Sequence, residues 1–265
     1  MEMTDLPLDA QLSGNVLLYS KPEPVSLEMH GKLGLKRTDK PYAFAATTHF
    51  VPIQVTEFTP AALSYPIIFA GSDYQPLAVM GLTPGENLFI NADGSFKPDA
   101  YIPAYIRRYP FVLANDEAGQ RMILCIERTS DLLSEDNPDV KLFENGEASE
   151  YTKNCMQFCT DFDTERRRTE AFVAMLKELD LFETKKAVYA PRMPDGSQGP
   201  QELIAEYFAI SEEKLKALSP EKLAELRDSG ALAQMYAHLV SLMGWDKLIS
   251  VVLSRRMTAP TAGNA

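Results

Sequence analysis

Residues 145–183 read NGEASEYTKNCMQFCTDFDTERRRTEAFVAMLKELDLFE. The chain changes character here. Upstream, short β-branched and aromatic runs alternate with turn residues. From Ser149 onward, Tyr151, Cys155, Phe158, Cys159, Phe162, Phe172, Leu176 and Leu179 recur mainly in steps of three and four. That period predicts a long amphipathic helix over roughly 149–183. The apolar stripe thins at ERRR (165–168), so part of that run must face solvent or a partner.

Upstream of the helix the signals are those of strands. NVLLY (15–19) is a first candidate, and the two prolines of KPEPV (21–25) break any regular element. YAFAATTHFVPIQVTEF (42–58) reads as strand, with Pro52 forcing an edge, a bulge or a break. YPIIFA (65–70), PLAVMGL (76–82) and ENLFI (86–90) follow, separated by Gly71-Ser72-Asp73 and Pro84-Gly85. FVLA (111–114) and RMILCIE (121–127) flank a polar turn and predict a hairpin. The rhythm implies a compact antiparallel sheet or small barrel.

Downstream, the Pro/Gly-rich APRMPDGSQGP (190–200) reads as a loop, and the rest reads as helical. Ser211 and Ser219-Pro220 are helix starts, Gly230 is a stop, and Gly244 is a candidate break within 231–256. The fold class is therefore α+β, a β-rich N-terminal half packed with a helical C-terminal half. Its expected parts are a flexible leader (1–14), a β-rich part (15–145), a helical part of the same cooperative domain (146–256) and a disordered tail (257–265). Asn145-Gly146 is a turn, too short for an interdomain linker.

The formal net charge of -11 argues against nucleic acid as a partner, which requires basic surface. It also argues against adsorption to an anionic membrane. No basic start with a continuous apolar core opens the chain, and no run reads as membrane-spanning. The expected location is the cytoplasm. Three cysteines, an odd number, fit reduced thiols.

YPIIFAG, ENLFINADGSF, YIPAYIRRYPFVLA and ILCIE, in that order, resemble the SapC family. EAFVAMLKELDLFE and EEKLKALSPEKLAELRDSGALAQMYAHLVSLMGWDKL resemble its helical half, so the likeness runs over roughly 15–255. The resemblance implies a soluble bacterial accessory protein associated with a surface layer, the paracrystalline protein coat of some bacteria. It supplies no catalytic residues.

YIPAYIRRYPFVLA (101–114) raises the main functional question, since it sets two arginines among aromatic rings in an acidic protein. In an extended chain Tyr101, Tyr105, Tyr109 and Arg107 share a face and Arg108 points away. Arg107 is then the enclosed member of a ligand pocket for a carboxylate or phosphate. The alternative is that both arginines tie to the protein's own acidic groups, their stems packed on rings. Cys155 and Cys159 share a helix face but lack further zinc ligands, so no metal and no cofactor is expected. His49 with Thr47 is a weak base–hydroxyl candidate, and NADGS (91–95) reads as a turn. The sequence thus favours a non-catalytic protein that binds a protein partner or a small anionic or peptide-like ligand. An enzyme, or an obligate enzyme subunit, working through an Arg/Tyr/His pocket is the alternative.

Overall fold

The computed structural model describes residues 16–115, 122–190 and 199–258. The expected leader lies outside them, as does the expected tail beyond Thr258. The main strands are β1 (Pro22–Pro24), β2 (Phe50–Pro52), β3 (Ile67–Ala70), β4 (Gln75–Val79), β5 (Phe111–Asn115), β6 (Met122–Glu127), β7 (Phe182–Tyr189) and β8 (Glu202–Ile210). The main helices are α1 (Glu150–Glu178), α2 (Glu212–Lys216), α3 (Pro220–Asp228), α4 (Ala231–Ser241) and α5 (Gly244–Thr258). The largest sheet is antiparallel, in the order β7-β8-β3-β4-β2. A second sheet runs β1-β6-β5. A small one joins Leu133–Ser134, Gly34–Leu35 and Val140–Lys141. The fold is α+β, and among the described residues these sheets stay open rather than closing into a barrel.

Helix α1 forms for the reasons its period indicates. Ser149 caps it, accepting from the Thr152 amide, and its own hydroxyl donates to the Lys141 carbonyl at 2.7 Å. Cys159, Phe162, Phe172, Val173 and Leu176 are buried along one stripe. The thin place in that stripe is filled by Thr169, which is buried and polar. Its hydroxyl accepts from the Val55 amide at 2.9 Å and also lies 2.9 Å from Gln54 Oε1. A hydrogen-bonded tie stands here in place of an apolar contact.

The helix ends earlier than its period implies. Asp180 sits at φ 50°, and the Leu181 amide returns to the Leu176 carbonyl at 3.0 Å, a left-handed stop usually made by glycine. Residues 182–210 then form the hairpin β7–β8 rather than helix and loop alone. The signal was hidden because β7 is an edge strand, and FETKKAVY carries the charges that protect such an edge. The expected loop 190–200 joins these two strands, although residues 191–198 lie outside the described set.

Other expectations are corrected in the same way. Of NVLLY, residues 16–19 form a turn, and the proline-flanked Pro22–Pro24 is the strand, an edge position that tolerates missing donors. The run 42–58 breaks into a 3-10 turn (Ala43–Ala45), the short edge strand β2, a second 3-10 turn (Val55–Glu57) and a helical turn (Phe58–Ala61). ENLFI contributes only an isolated bridge, Ile90 to Phe96. The stretch 231–255 is long and apolar enough to cross a membrane by length and composition, against expectation; 22% of an apolar 18-residue portion of it is buried. It bends at Leu242–Met243. Gly244 packs closely there, since a Cβ would meet Pro66 at 3.0 Å and Pro66 would have to shift.

Helix α4 closes one end of the large sheet with buried polar groups. His238 Nε2 accepts from the Ile210 amide at 3.1 Å, and Ser241 Oγ accepts from the Ile67 amide at 3.0 Å. Burial, reinforced by the charge of Lys185, lowers the pKa of His238 to about 3, so the ring is neutral. Glu127 does similar work at the second sheet. It is 1% exposed and accepts from the Ser20, Lys21 and Thr129 amides. Burial pulls its pKa upward, but these bonds outweigh it and the net shift is downward.

Because β8 lies beside β3 and α1 is pinned to residues 54–55, the two halves are expected to fold as one unit. Residues 1–145 expressed alone should be insoluble or molten. A well-dispersed NMR spectrum from that fragment would show independent folding.

Candidate functional site

The stretch 101–110 is not extended. Ala104–Arg107 forms a helical turn, and Tyr109-Pro110 is cis. The segment is held by residues 57–65. Glu57 Oε1 accepts from the Ala104 amide at 2.7 Å and from the Tyr101 hydroxyl at 2.8 Å. Ser64 Oγ accepts from the Tyr101 amide at 3.0 Å, and the Tyr65 hydroxyl donates to the Tyr101 carbonyl. Burial, with the charge and hydrogen bond of Glu57, pushes the Tyr101 hydroxyl up to about 12.

The helical turn reverses the expected roles of the arginines. Arg107 is exposed and Arg108 is half-buried. The parity argument assumed a strand, whereas in a turn of helix successive side chains step around by about 100°. Arg108 Cζ lies 4.2 Å from the Tyr105 ring centroid, 4.4 Å from that of Phe162 and 5.5 Å from that of Tyr19. Arg107 Cζ lies 5.3 Å from Phe158 and 5.9 Å from Tyr101. Tyr101 and Tyr105 are four residues apart, as are Phe158 and Phe162. Arg107 therefore sits on Tyr101 and Phe158, and Arg108 on Tyr105, Tyr19 and Phe162.

Among the described residues, neither guanidinium has a carboxylate oxygen within 4.0 Å. Arg107 donates to the Ile102 carbonyl at 3.0 Å and to the Tyr101 hydroxyl at 3.3 Å. Among the described residues Arg108 Nε is buried without a partner. The tyrosine hydroxyls are engaged internally. Tyr105 donates to the Leu17 carbonyl at 2.7 Å, while Tyr109 stacks on Phe44 at 3.9 Å. Burial raises the pKa of Tyr105, and the charge of Arg108 opposes that rise. Of the five residues singled out from the sequence, Tyr101, Tyr105, Arg107 and Arg108 form a zipper against α1, while Tyr109 packs on Tyr19 and Phe44.

An open groove lies elsewhere. A groove of about 340 Å³ runs between α1 and the strand ends, with Arg166, Thr169, Val173 and Lys177 on the helix wall and Pro52–Gln54 and Gln75–Pro76 opposite. The helix residues fall at helical spacing, so one stripe of α1 forms the wall. A second hollow of about 490 Å³ adjoins it, and Tyr74 and Lys177 line both. The Tyr74 ring is held 4.4 Å from both Phe182 and Phe208, with Lys177 Nζ 4.6 Å above it. Lys177 also donates to the Ser72 carbonyl at 3.3 Å, and among the described residues no carboxylate oxygen lies within 4.0 Å of Nζ. Arg166 is neutralised by Asp163 and Glu170, and Asp180 pairs with Lys214 at 3.1 Å.

Sequence reasoning reached this groove only through ERRR, of which Arg166 lines the wall while Arg167 and Arg168 point to solvent. Tyr74 and Lys177 gave no motif, being a turn residue and one lysine among many. The three histidines sit in separate surroundings. His30 pairs with Glu23, His238 lies beneath the sheet, and His49 lines a third cleft. Thr47 and Thr48 both line that cleft with His49, so strand parity misjudged this group too. Burial raises the pKa of all three thiols, that of Cys159 to about 12. Among the described residues no group of three metal-ligating side chains converges.

A family model described as SapC matches residues 25–248. The chain belongs to the SapC family. No curated protein and no solved structure matches it. The SapC match spans residues 101–109, both hollows, the hairpin β7–β8 and helix α4, while Leu17, Leu18 and Tyr19 lie outside it.

The zipper predicts unequal arginines. Arg108→Ala should cost about 1–3 kcal/mol, through lost cation–π contacts and stem packing. Arg107→Ala should cost no more than about 1 kcal/mol, as a single exposed contact. Urea unfolding of the two variants checks this, and equal losses would contradict it.

Proposed function

We propose that this SapC-family protein is a non-catalytic binding protein whose groove along α1 takes an extended, peptide-like segment of a partner. The observation that carries the reading is Lys177, a cation without a carboxylate partner among the described residues, standing over Tyr74 where two hollows meet. Charges of both signs line the groove, Asp73 and Glu170 beside Arg166 and Lys177. Such a lining suits a peptide better than a simple anion, because a peptide offers carboxylates, amides and apolar side chains together. Tyr74 supplies a rigid aromatic surface of the kind that anchors interfaces.

An enzyme using an Arg/Tyr/His pocket is the weaker reading, since neither Arg107 nor Arg108 lines the cleft that holds His49. The surface-layer association implied by the family resemblance makes a cell-surface pathway the proposed context. A soluble protein working from the cytoplasm fits that context.

Blocked tripeptides with an acidic, neutral or basic central residue test the groove by thermal shift. The acidic peptide should raise the melting temperature with concentration, as binding to the native state requires. Lys177→Glu should abolish that rise. No rise with any peptide, or an unchanged rise in Lys177→Glu, would contradict the proposal.

A further inference from the structure

A cleft of about 270 Å³ opens between the strap Leu17–Leu18, the loop Phe44–His49 and Gly85. It shares no lining residue with the groove along α1. None of its lining residues carries a formal charge at neutral pH, in a chain that is 24% charged. Its polar groups are the hydroxyls of Thr47 and Thr48 and the imidazole of His49. Its apolar walls are Leu17, Leu18 and Phe44.

These walls are fixed from outside the cleft. Tyr105 holds the Leu17 carbonyl, and Tyr109 stacks on Phe44 with an interplanar angle of 13°. Leu18 stands at φ 72°, a conformation that a branched side chain rarely adopts and that the surrounding contacts must impose. His49 is held by its carbonyl, which accepts from the Met80 and Gly81 amides at 2.7 and 2.9 Å. Gly81 permits the close packing there, since a Cβ would lie 2.0 Å from the Glu86 carbonyl oxygen and 3.2 Å from His49 Cβ.

His49 is only 7% exposed, yet among the described residues its Nε2 has no hydrogen-bond partner. Nearly all buried polar atoms are paired, so a ring that lines a cleft with an unpaired nitrogen carries hydrogen-bonding capacity that the fold leaves unused. Burial lowers the pKa of the ring and keeps it neutral at neutral pH, when one nitrogen donates and the other accepts.

We propose that this cleft binds a small, uncharged, hydroxyl-rich ligand of about monosaccharide size. An ion entering it would lose water without gaining a counter-charge from the lining. A polyol meets no such penalty. Its hydroxyls match Thr47, Thr48 and the imidazole in both donor and acceptor roles, and its C–H faces match the Leu and Phe walls. The volume lies just below the usual range for drug-sized sites, roughly 300–1,000 Å³, as a small ligand requires.

The test uses the full chain and follows its three histidine side chains by nitrogen-edited NMR. The probes are D-glucose, D-galactose and N-acetyl-D-glucosamine, each added up to about 50 mM, enough to saturate a site of millimolar affinity. At least one should shift the His49 ring signals saturably while leaving His30 and His238 in place. His49→Phe keeps the ring's bulk without its nitrogens and should weaken that sugar by about tenfold or more. Thr47→Val changes an exposed residue and should weaken it several-fold, which keeps the proposal testable if His49→Phe does not fold. No saturable shift with any of the three sugars overturns the proposal. So does binding that both variants leave unchanged. Failure here leaves the peptide groove untouched, because that site is read by Lys177→Glu.

Discussion

The carboxylate of Glu57 organises the middle of this protein. It is 6% exposed, and its acceptor capacity is directed at three donors: the Ala104 amide, the Tyr101 hydroxyl and the Gln54 amide, the last at 3.0 Å. A buried carboxylate is tolerable only when so satisfied. The consequence is geometric. Gln54 and Val55, next to it, meet Thr169 of α1, so the loop that carries Glu57 is locked to the long helix. Tyr101 and Ala104, on its other side, fix the start of the aromatic segment. The arginine zipper can then form only in one register, with Tyr101 and Tyr105 beside Phe158 and Phe162. The same loop supplies the strand wall of the groove.

Two consequences follow for function. The stretch that looked most like a ligand site in the sequence is occupied with holding the fold together. Its arginines stack on rings, and the hydroxyls of Tyr101 and Tyr105 bond within the protein. The open surfaces are set up by that arrangement and lie beside it. Thr169 stands on the groove wall, with Lys177 two helical turns further along α1. On the other side, Tyr105 and Tyr109 hold the strap and the phenylalanine that wall the His49 cleft. One aromatic segment thereby positions parts of both candidate sites without lining either.

The α+β division was legible because Ser149 and the three-and-four spacing announce a helix in side chains alone. Strands β3 to β6 were legible as compact apolar runs bounded by turns. What stayed hidden depended on partners distant in sequence. The hairpin β7–β8 carries charges on its edge strand and so lacks the alternation of a half-buried strand. The end of α1 is made by Asp180 rather than glycine. Thr169 breaks the apolar stripe because its hydroxyl replaces a packing contact. The choice between Arg107 and Arg108 turned on local backbone shape, which Glu57 sets from 47 residues away. Lys177 and Tyr74 had no motif, since their meaning comes from two hollows that form only after folding.

The most direct test of Glu57 as the organising contact is equilibrium unfolding of Glu57→Ala. The substitution leaves the buried Ala104 amide and the half-buried Tyr101 hydroxyl without the Glu57 acceptor, an unmade buried bond costing about 1–3 kcal/mol. A loss of about 3 kcal/mol or more is expected, larger than that of typical single substitutions. A loss below about 1 kcal/mol, within the range of ordinary substitutions, would show that the segment 101–109 is held by its ring packing alone and would contradict the account.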